Sequence, residues 1–522
     1  MKTNTISIIV AASFGICLFV HAAPIQQNES AKNVVAPVEE AVLLTPPAPN
    51  QPRINGPEVY GVRPGSPFLY RIPCTGKRPI SFHAKGLPKG LTLNSVSGII
   101  TGKIAKAGMI RVTLFAKNKF GKTSREFRIE VGNKLALTPP MGWNSWYIYL
   151  HHVTQAEMCK TADEMIASGM ADYGYQYVNI DDCWARQPGL TNSEVGEPVR
   201  DANGQILPNQ RFPDIKAMVD YIHSKGLKAG IYSSPGPKTC AGFEGSWQHE
   251  AQDARTFANW GFDFLKYDWC SYDSKAGGHT LENLKKPYQQ MWGDLQKQHR
   301  DIVFNLCQYG MGDVWKWGGD VGNSWRTTDD LGAARATQLP GFYSIGFSNE
   351  KHWQYARPGA WNDPDYILIG WIGANHGKSS KRTTLTPNEQ YSYMSMWSLM
   401  AAPLIFSGNM TKLDAFTLNV LCNAEVIAVD QDPLGRQAKI LRQTPDEFVL
   451  VKELEDGSKA VGLFNLSSLP RTISVSWNDL GIRGKQSLRD LWRQKKIGSF
   501  DKTFEAEVPR HGVALARLWP EK

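Results

Sequence analysis

Between residues 137 and 432 the spacing of apolar positions alternates between two rhythms. Short, nearly unbroken apolar runs read as strands buried on both faces: "GYQYVNI" (174–180), "LKAGIY" (227–232), "FDFLKY" (262–267), "IVFNLC" (302–307) and "PLIFSG" (403–408). Between the runs the period lengthens to that of a helix. Thr154 and Glu157 have capping-box spacing, Met158, Ala162, Met165 and Ile166 fall on one helical face, and Gly169 marks the stop. Ile215, Met218, Val219 and Ile222 repeat the pattern ahead of Gly226. Strand–helix units in such a series predict a (β/α)8 barrel over 137–432. No glycine-rich dinucleotide fingerprint follows any of these strands, which weighs against an open doubly wound sheet.

The flanks keep a period of two. Across 53–133, "FLYRI", "LTLNSVSGIITG", "RVTLFAKNKFGK" and "REFRIEVG" are short, alternating and separated by Gly and Pro, predicting a small β-sandwich. From 433 to 522, "FVLVKEL", "AVGLFNL", "RTISVSW" and "GVALARL" predict a terminal antiparallel β-domain. Residues 23–52 are Pro-rich and aperiodic, and read as a linker. Residues 1–22 have the parts of a signal peptide: Lys2, an apolar stretch from Ile8 to Val20, and small residues at Val20 and Ala22 for cleavage. That stretch is too short to span a membrane and no other approaches it, so no membrane span is expected. The expected location is periplasmic or extracellular. Cys17 raises the question of a lipoprotein anchor, but Ile16 is poorly suited to precede a lipidated cysteine.

Composition narrows the field. A chain of 522 residues, 42% hydrophobic with 17 Trp and 18 Tyr, has material for several folded domains and is not globally disordered. The net charge of +9 and pI near 8.9 raise the possibility of a nucleic-acid partner. Lys and Arg are nevertheless scattered, with no run beyond Arg493–Lys496 and no accompanying motif, so a solvated basic surface is the expectation. Eight cysteines become seven if Cys17 leaves with the signal. Disulfides are then permitted, with at least one thiol free or paired to another chain.

The chemistry gathers where the runs end. "FDFLKYDWC" passes from apolar residues into Lys266 and Asp268, and "NIDDCW" into Asp181 and Asp182. Tyr232 closes "GIYSS", Gln308 follows "LC", Arg326 and Asp330 lie in "WRTTDD", Asp363 and Asp365 in "WNDPD", and Asn144 and Trp146 in "MGWNSW". Any one such Asp is equally an ordinary loop start or helix cap. In a barrel of this type, however, strand C-termini form the active face, and a ring of carboxylates, one Lys, one Arg and aromatics suits a sugar. Two opposed carboxyl groups are what glycosidic cleavage needs. Asp-rich endings can also hold Mg²⁺ or Ca²⁺, but there is no HExxH, no EF-hand pattern and no His cluster. No metal or cofactor is implied.

The blocks "LTPPMGWNSW", "YVNIDDCW", "KTCAGFEGSW", "LKYDWC", "NSWRTTDD", "WNDPDYILIG" and "VIAVDQDPLGRQ" closely resemble glycoside hydrolase family 27, the α-galactosidase and α-N-acetylgalactosaminidase group. The resemblance runs from about Leu137 to the C-terminus. It implies a (β/α)8 barrel with a C-terminal β-sandwich, and retaining double-displacement hydrolysis of terminal α-linked D-galactose from oligosaccharides or polysaccharide side chains. Residues 53–133 resemble the Ig-like domains that precede many bacterial exported enzymes, more often spacers than ligand-binding modules.

Position by position, Asp268 matches the nucleophile and Asp330 the general acid/base, four residues after Arg326; the adjacent Asp329 matches neither. Two residues before Asp268 on its strand, Lys266 shares its side and should lower its pKa. Retention implies carboxyl groups about 5 to 5.5 Å apart. Asp181 and Asp182 resemble the pair receiving the O4 and O6 hydroxyls, with Lys266 near O4, Arg326 near O2, Trp146 as apolar platform, and Tyr232, Gln308 and Asp365 completing the pocket. Cys240 and Cys270 match a family disulfide.

Three departures stand out. Gln308 replaces a usual Glu, and it is larger than the small residues that admit an N-acetyl group, which favours galactose. The usual partner of Cys183 is missing, leaving Cys183 unpaired or within reach of Cys159. Tyr366 stands where an apolar residue is usual. Two alternatives remain: a β-L-arabinopyranosidase, against which both Asp181 and Asp182 speak, and a non-catalytic carbohydrate-binding protein, against which Asp268 and Asp330 speak.

Overall fold

The computed structural model describes residues 39–333, 338–373 and 379–521. The expected signal peptide, Cys17 and the first part of the expected linker lie outside the described residues. Eight parallel strands follow one another around the central sheet: β1 (Met141–Asn144), β2 (Tyr177–Asn179), β3 (Lys228–Ser233), β4 (Phe264–Asp268), β5 (Val303–Cys307), β6 (Ser324–Arg326), β7 (Trp361–Asp363) and β8 (Leu404–Phe406). β8 pairs with β1, and Ile367 bridges Phe406 just past β7, so the sheet curls into the expected TIM-type barrel.

Alternation along each strand sorts its side chains. On β4, Phe264 closes the N-terminal end of the barrel with Tyr177, Val303 and Leu135, while Leu265 and Tyr267 join the main core outside. Lys266 and Asp268 share the inward side with Phe264 and lie nearer the strand's C-terminal end. Helix α1 (Gln155–Ala167) has the predicted box, Thr154 accepting from the Glu157 amide and Glu157 from that of Thr154, and α2 (Ile215–Ser224) buries Ile215, Met218, Val219 and Ile222. A third helix, α3 (Pro387–Leu399), is buried from Glu389 to Leu399 without a polar face.

The C-terminal region forms a six-stranded antiparallel sheet facing the strand pair Arg471–Ser476 and Thr503–Val508, around Val449, Leu463, Ile473, Leu488 and Phe504. The N-terminal domain packs a four-stranded and a three-stranded sheet around Phe68, Tyr70, Phe82, Leu114 and Phe127. It meets the barrel at its N-terminal end. There the Lys228 ammonium donates to the Tyr60 hydroxyl at 2.7 Å and Arg63 pairs with Asp301 at 2.6 Å.

The end of the predicted linker differs from expectation: it is docked. Thr45 is buried, exchanges three hydrogen bonds with Asn419 and receives a fourth from Asn423. Polar complementarity fixes a stretch whose apolar pattern gives no sign of structure.

Candidate active site

The barrel register sets Tyr232 beside Lys266 and Lys266 beside Asn305, and it aligns Asp268 with Cys307 and Arg326 with Asp363. These strand ends bring the predicted carboxylates together. Asp268 is 5% exposed. Its Oδ1 accepts from the Tyr309 hydroxyl at 2.5 Å and the Trp269 amide at 2.9 Å, and its Oδ2 from the Tyr232 hydroxyl at 3.2 Å. The Lys266 ammonium stands 4.0 Å from Oδ2.

Burial raises the Asp268 pKa above the ordinary carboxylate range. Lys266 and the Tyr309 hydroxyl oppose that rise, while Asp330 and Asp181 add to it. Lys266 therefore acts in the predicted direction but is outweighed by desolvation. Burial on its own would also push the Lys266 pKa down. Asp181 leads the groups that reverse this and hold the ammonium well above its usual value.

Asp181 is a second hub, and its carboxylate faces the same Lys266 ammonium as that of Asp268. Its Oδ2 accepts from Lys266 and from the Tyr366 hydroxyl, both at 2.9 Å, and its amide is fixed by Ser145. Next to it, Asp182 is 2% exposed and accepts from the Cys183 amide at 2.6 Å and the Ala241 amide at 2.8 Å. Burial pushes its carboxyl up to about 7, against those hydrogen bonds.

Arg326 links the remaining groups. Its guanidinium lies 3.1 Å from Asp330 and 3.4 Å from Asp365, and it donates to the carbonyl of Asp329 at 2.7 Å. Asp365 has a left-handed backbone (φ +82°) held by α3, whose Trp397 indole donates to its carbonyl at 2.9 Å. The Asp365 carboxylate also accepts from Leu331 N–H at 2.8 Å and the Tyr147 hydroxyl at 3.3 Å, which secures the loop carrying Asp330. The Asp330 side chain itself is 48% exposed.

The other predicted positions sort as follows. Trp146 is half-buried at the head of the turn after β1. Gln308 is fully buried, and its amide nitrogen donates to the Met311 carbonyl of its own loop at 2.8 Å. Cys240 and Cys270 are disulfide-bonded, with the Tyr232 hydroxyl 3.5 Å from the Cys270 sulfur. The cluster of metal-binding dimensions found among the described residues is Cys240, Asp268 and Cys270, and it spends both sulfurs in that disulfide. Cys183 does not reach Cys159. Both are free, and the Cys183 sulfur lies 3.4 Å from His151 Nδ1 in the loop after β1.

Sequence reasoning missed Tyr309, Tyr147 and the role of Tyr366. Each is an aromatic at a strand end, a visible signal, but its hydroxyl finds a carboxylate only through the tertiary fold.

Comparison with known proteins identifies the domains. Residues 138–432 match the family model described as Alpha galactosidase A, residues 447–518 that of the Alpha galactosidase C-terminal beta sandwich domain, and residues 51–132 an Ig-domain family. An alpha-galactosidase of Cyamopsis tetragonoloba is 40% identical over 393 residues, covering 74% of this chain and 88% of the relative. A Bacteroides fragilis crystal structure superposes with a TM-score of 0.81 at 36% identity, over 90% of this chain and 98% of that one. A family 27 β-L-arabinopyranosidase of Geobacillus stearothermophilus superposes with a TM-score of 0.64 at 27% identity, covering 74% and 97%. Matched over its barrel and its terminal sandwich, the chain belongs to the alpha-galactosidases of glycoside hydrolase family 27.

Proposed function

We propose that this alpha-galactosidase is an exported, retaining exo-glycosidase that removes terminal α-linked D-galactose from oligosaccharides or polysaccharide side chains. The observation that carries this reading is the pocket in which a buried, four-fold contacted Asp268 shares space with the half-exposed Asp330 and the Lys266–Asp181 pair. In the first step Asp268 attacks the anomeric carbon while Asp330 gives its proton to the glycosidic oxygen. That C–O bond breaks, the aglycone leaves as an alcohol, and galactose remains as an ester of Asp268. In the second step Asp330, now a carboxylate, takes a proton from water. The water oxygen attacks the same carbon, the ester opens, and galactose leaves with its configuration retained.

Roles for the remaining groups follow from chemistry and the family resemblance. Asp181, oriented by Lys266 and Tyr366, and Asp182 accept the O4 and O6 hydroxyls, Arg326 serves O2, and Trp146 carries the apolar ring face. Two retained carboxylates support galactose over L-arabinopyranose, which lacks the C6 hydroxymethyl and would leave one of them unanswered. The pattern of residues 1–22 supports export.

The test is hydrolysis of aryl α-D-galactoside beside aryl β-L-arabinopyranoside and aryl α-N-acetylgalactosaminide. A strong preference for the first is expected. Activity confined to the arabinoside would overturn the assignment of Asp181 and Asp182.

A further inference from the structure

Charge is divided unevenly among the domains. Residues 53–133 carry 15 Lys and Arg against 3 Glu and no Asp, a net of +12. The whole chain is +9, so everything outside that domain sums to −3. The two kinds of cation behave differently. Six of the domain's seven arginines pair with carboxylates. Arg63, Arg71, Arg78 and Arg128 find theirs outside the domain, at Asp301, Asp172 and Glu455, and so fasten it to the rest of the protein. All eight lysines are exposed and, among the described residues, none forms an ion pair.

Four of those lysines converge on the hairpin joining strands Gly108–Asn118 and Gly121–Val131. Lys117 and Lys122 stand directly opposite one another in register. Lys77 and Lys119 approach the Phe120 ring at 5.8 and 5.1 Å, and that residue is 42% exposed. Two residues along the same outer face, the exposed His83 ring lies beside Phe115 with centroids 5.8 Å apart. Like charges directly opposed in a sheet are destabilising, and so is an aromatic left in water. A spacer gains nothing from either. A polymer with negative groups and flat ring faces answers both.

We propose that this face of the Ig-like domain binds an anionic polysaccharide. Its carboxylate or sulfate groups meet Lys77, Lys117, Lys119 and Lys122, and its sugar rings lie on Phe120 and the Phe115–His83 pair. The galactosidase activity serves only to choose a glycan among polyanions, because holding the enzyme on a glycan raises the local concentration of its substrates. The domain packs on the N-terminal end of the barrel, so a tether there leaves the opposite, catalytic end open.

The test is retention of the mature full-length protein on immobilised polygalacturonate and on neutral galactomannan, at low and high salt. Retention on the polyuronate at low salt is expected, with release at high salt as counterions compete. Changing the four lysines to Glu together should weaken retention by about tenfold or more, and Phe115→Ser with Phe120→Ser by a smaller factor. Hydrolysis of a soluble aryl α-galactoside should be unchanged in both variants, and protection of residues 53–133 from limited proteolysis should match the parent, which reports that the altered domain folds. Retention is read without catalysis, so it fails or holds independently of the pocket. No retention at low salt, retention indifferent to the lysine changes, or tighter binding to duplex DNA or anionic vesicles at the same salt would overturn the proposal.

Discussion

Asp268 and Asp330 stand at or just beyond strand ends of one barrel under opposite conditions. Asp268 ends β4, is nearly sealed from water, and has both carboxylate oxygens engaged by phenol and amide donors. Asp330 lies four residues beyond β6 on a loop, half exposed, with Arg326 as its ion-pair partner. A nucleophile must approach one carbon along one line, so freedom removed beforehand lowers its barrier. A group that gives a proton to a departing oxygen and then takes one from water needs access to both. In the proposed double displacement the rigid wall and the open wall are the two halves.

The largest effect should separate the two walls. Asp268→Asn is expected to lower kcat on every galactoside by on the order of 10⁴-fold or more, since no other group can form the ester. Asp330→Asn is expected to cost roughly 10²–10⁴-fold on galactosides with poor leaving groups and far less on activated aryl galactosides, which leave without a proton. Equal losses on both substrate types would erase the comparison. Kinetics with a series of phenols as leaving groups gives the answer.

Tyr309→Phe comes next. It removes a charge-assisted hydrogen bond to Asp268, and a loss of about ten- to 100-fold in kcat/KM is expected, with the acid limb of the pH profile moved upward. The upward direction follows because the Tyr309 hydroxyl helps hold the Asp268 pKa down. A stability loss with an unmoved pH limb would make Tyr309 merely structural. Tyr366→Phe removes a hydrogen bond to Asp181, and about a two- to tenfold rise in KM with little change in kcat is expected from steady-state kinetics.

Asp182 is read in stability rather than in rate. Its folded pKa of about 7 lies above the ordinary carboxylate value of 3.8. Its contribution is therefore fully present below about pH 4 and is lost as pH rises through 7. The melting temperature of Asp182→Asn, relative to the parent, should climb from about pH 4 to about pH 7 and level off above that. A difference independent of pH would mean that the carboxyl is ionised throughout.

How much of this was legible in the sequence depended on whether a signal was local. β2 to β5 and β8 announce themselves as apolar runs, whereas β6 and β7, no shorter than β2 or β8 but ending in Arg326 and Asp363, are too polar for periodicity to mark. Helix α3 has a capping box at Thr386 and Glu389 but no apolar stripe, because it is buried on every side between barrel and sandwich. Asp268 and Lys266 were visible through their two-residue spacing on one strand. Nothing in "LCQYG" says that the Tyr309 hydroxyl reaches the next strand over, nor in "YIYLHHV" that His151 stands beside Cys183. Lys117, Lys119 and Lys122 lie together in "KNKFGK", but only the folded hairpin sets Lys117 opposite Lys122 and brings Lys77 to the Phe120 ring.

The most direct test is to trap the enzyme with a slowly turned-over fluorinated α-galactosyl fluoride and map the modified peptide by mass spectrometry. The expected result is a galactosyl adduct on Asp268, which disappears as activity returns. An adduct on another carboxylate, or no adduct together with release of galactose of inverted configuration, would contradict the division of labour between the two walls.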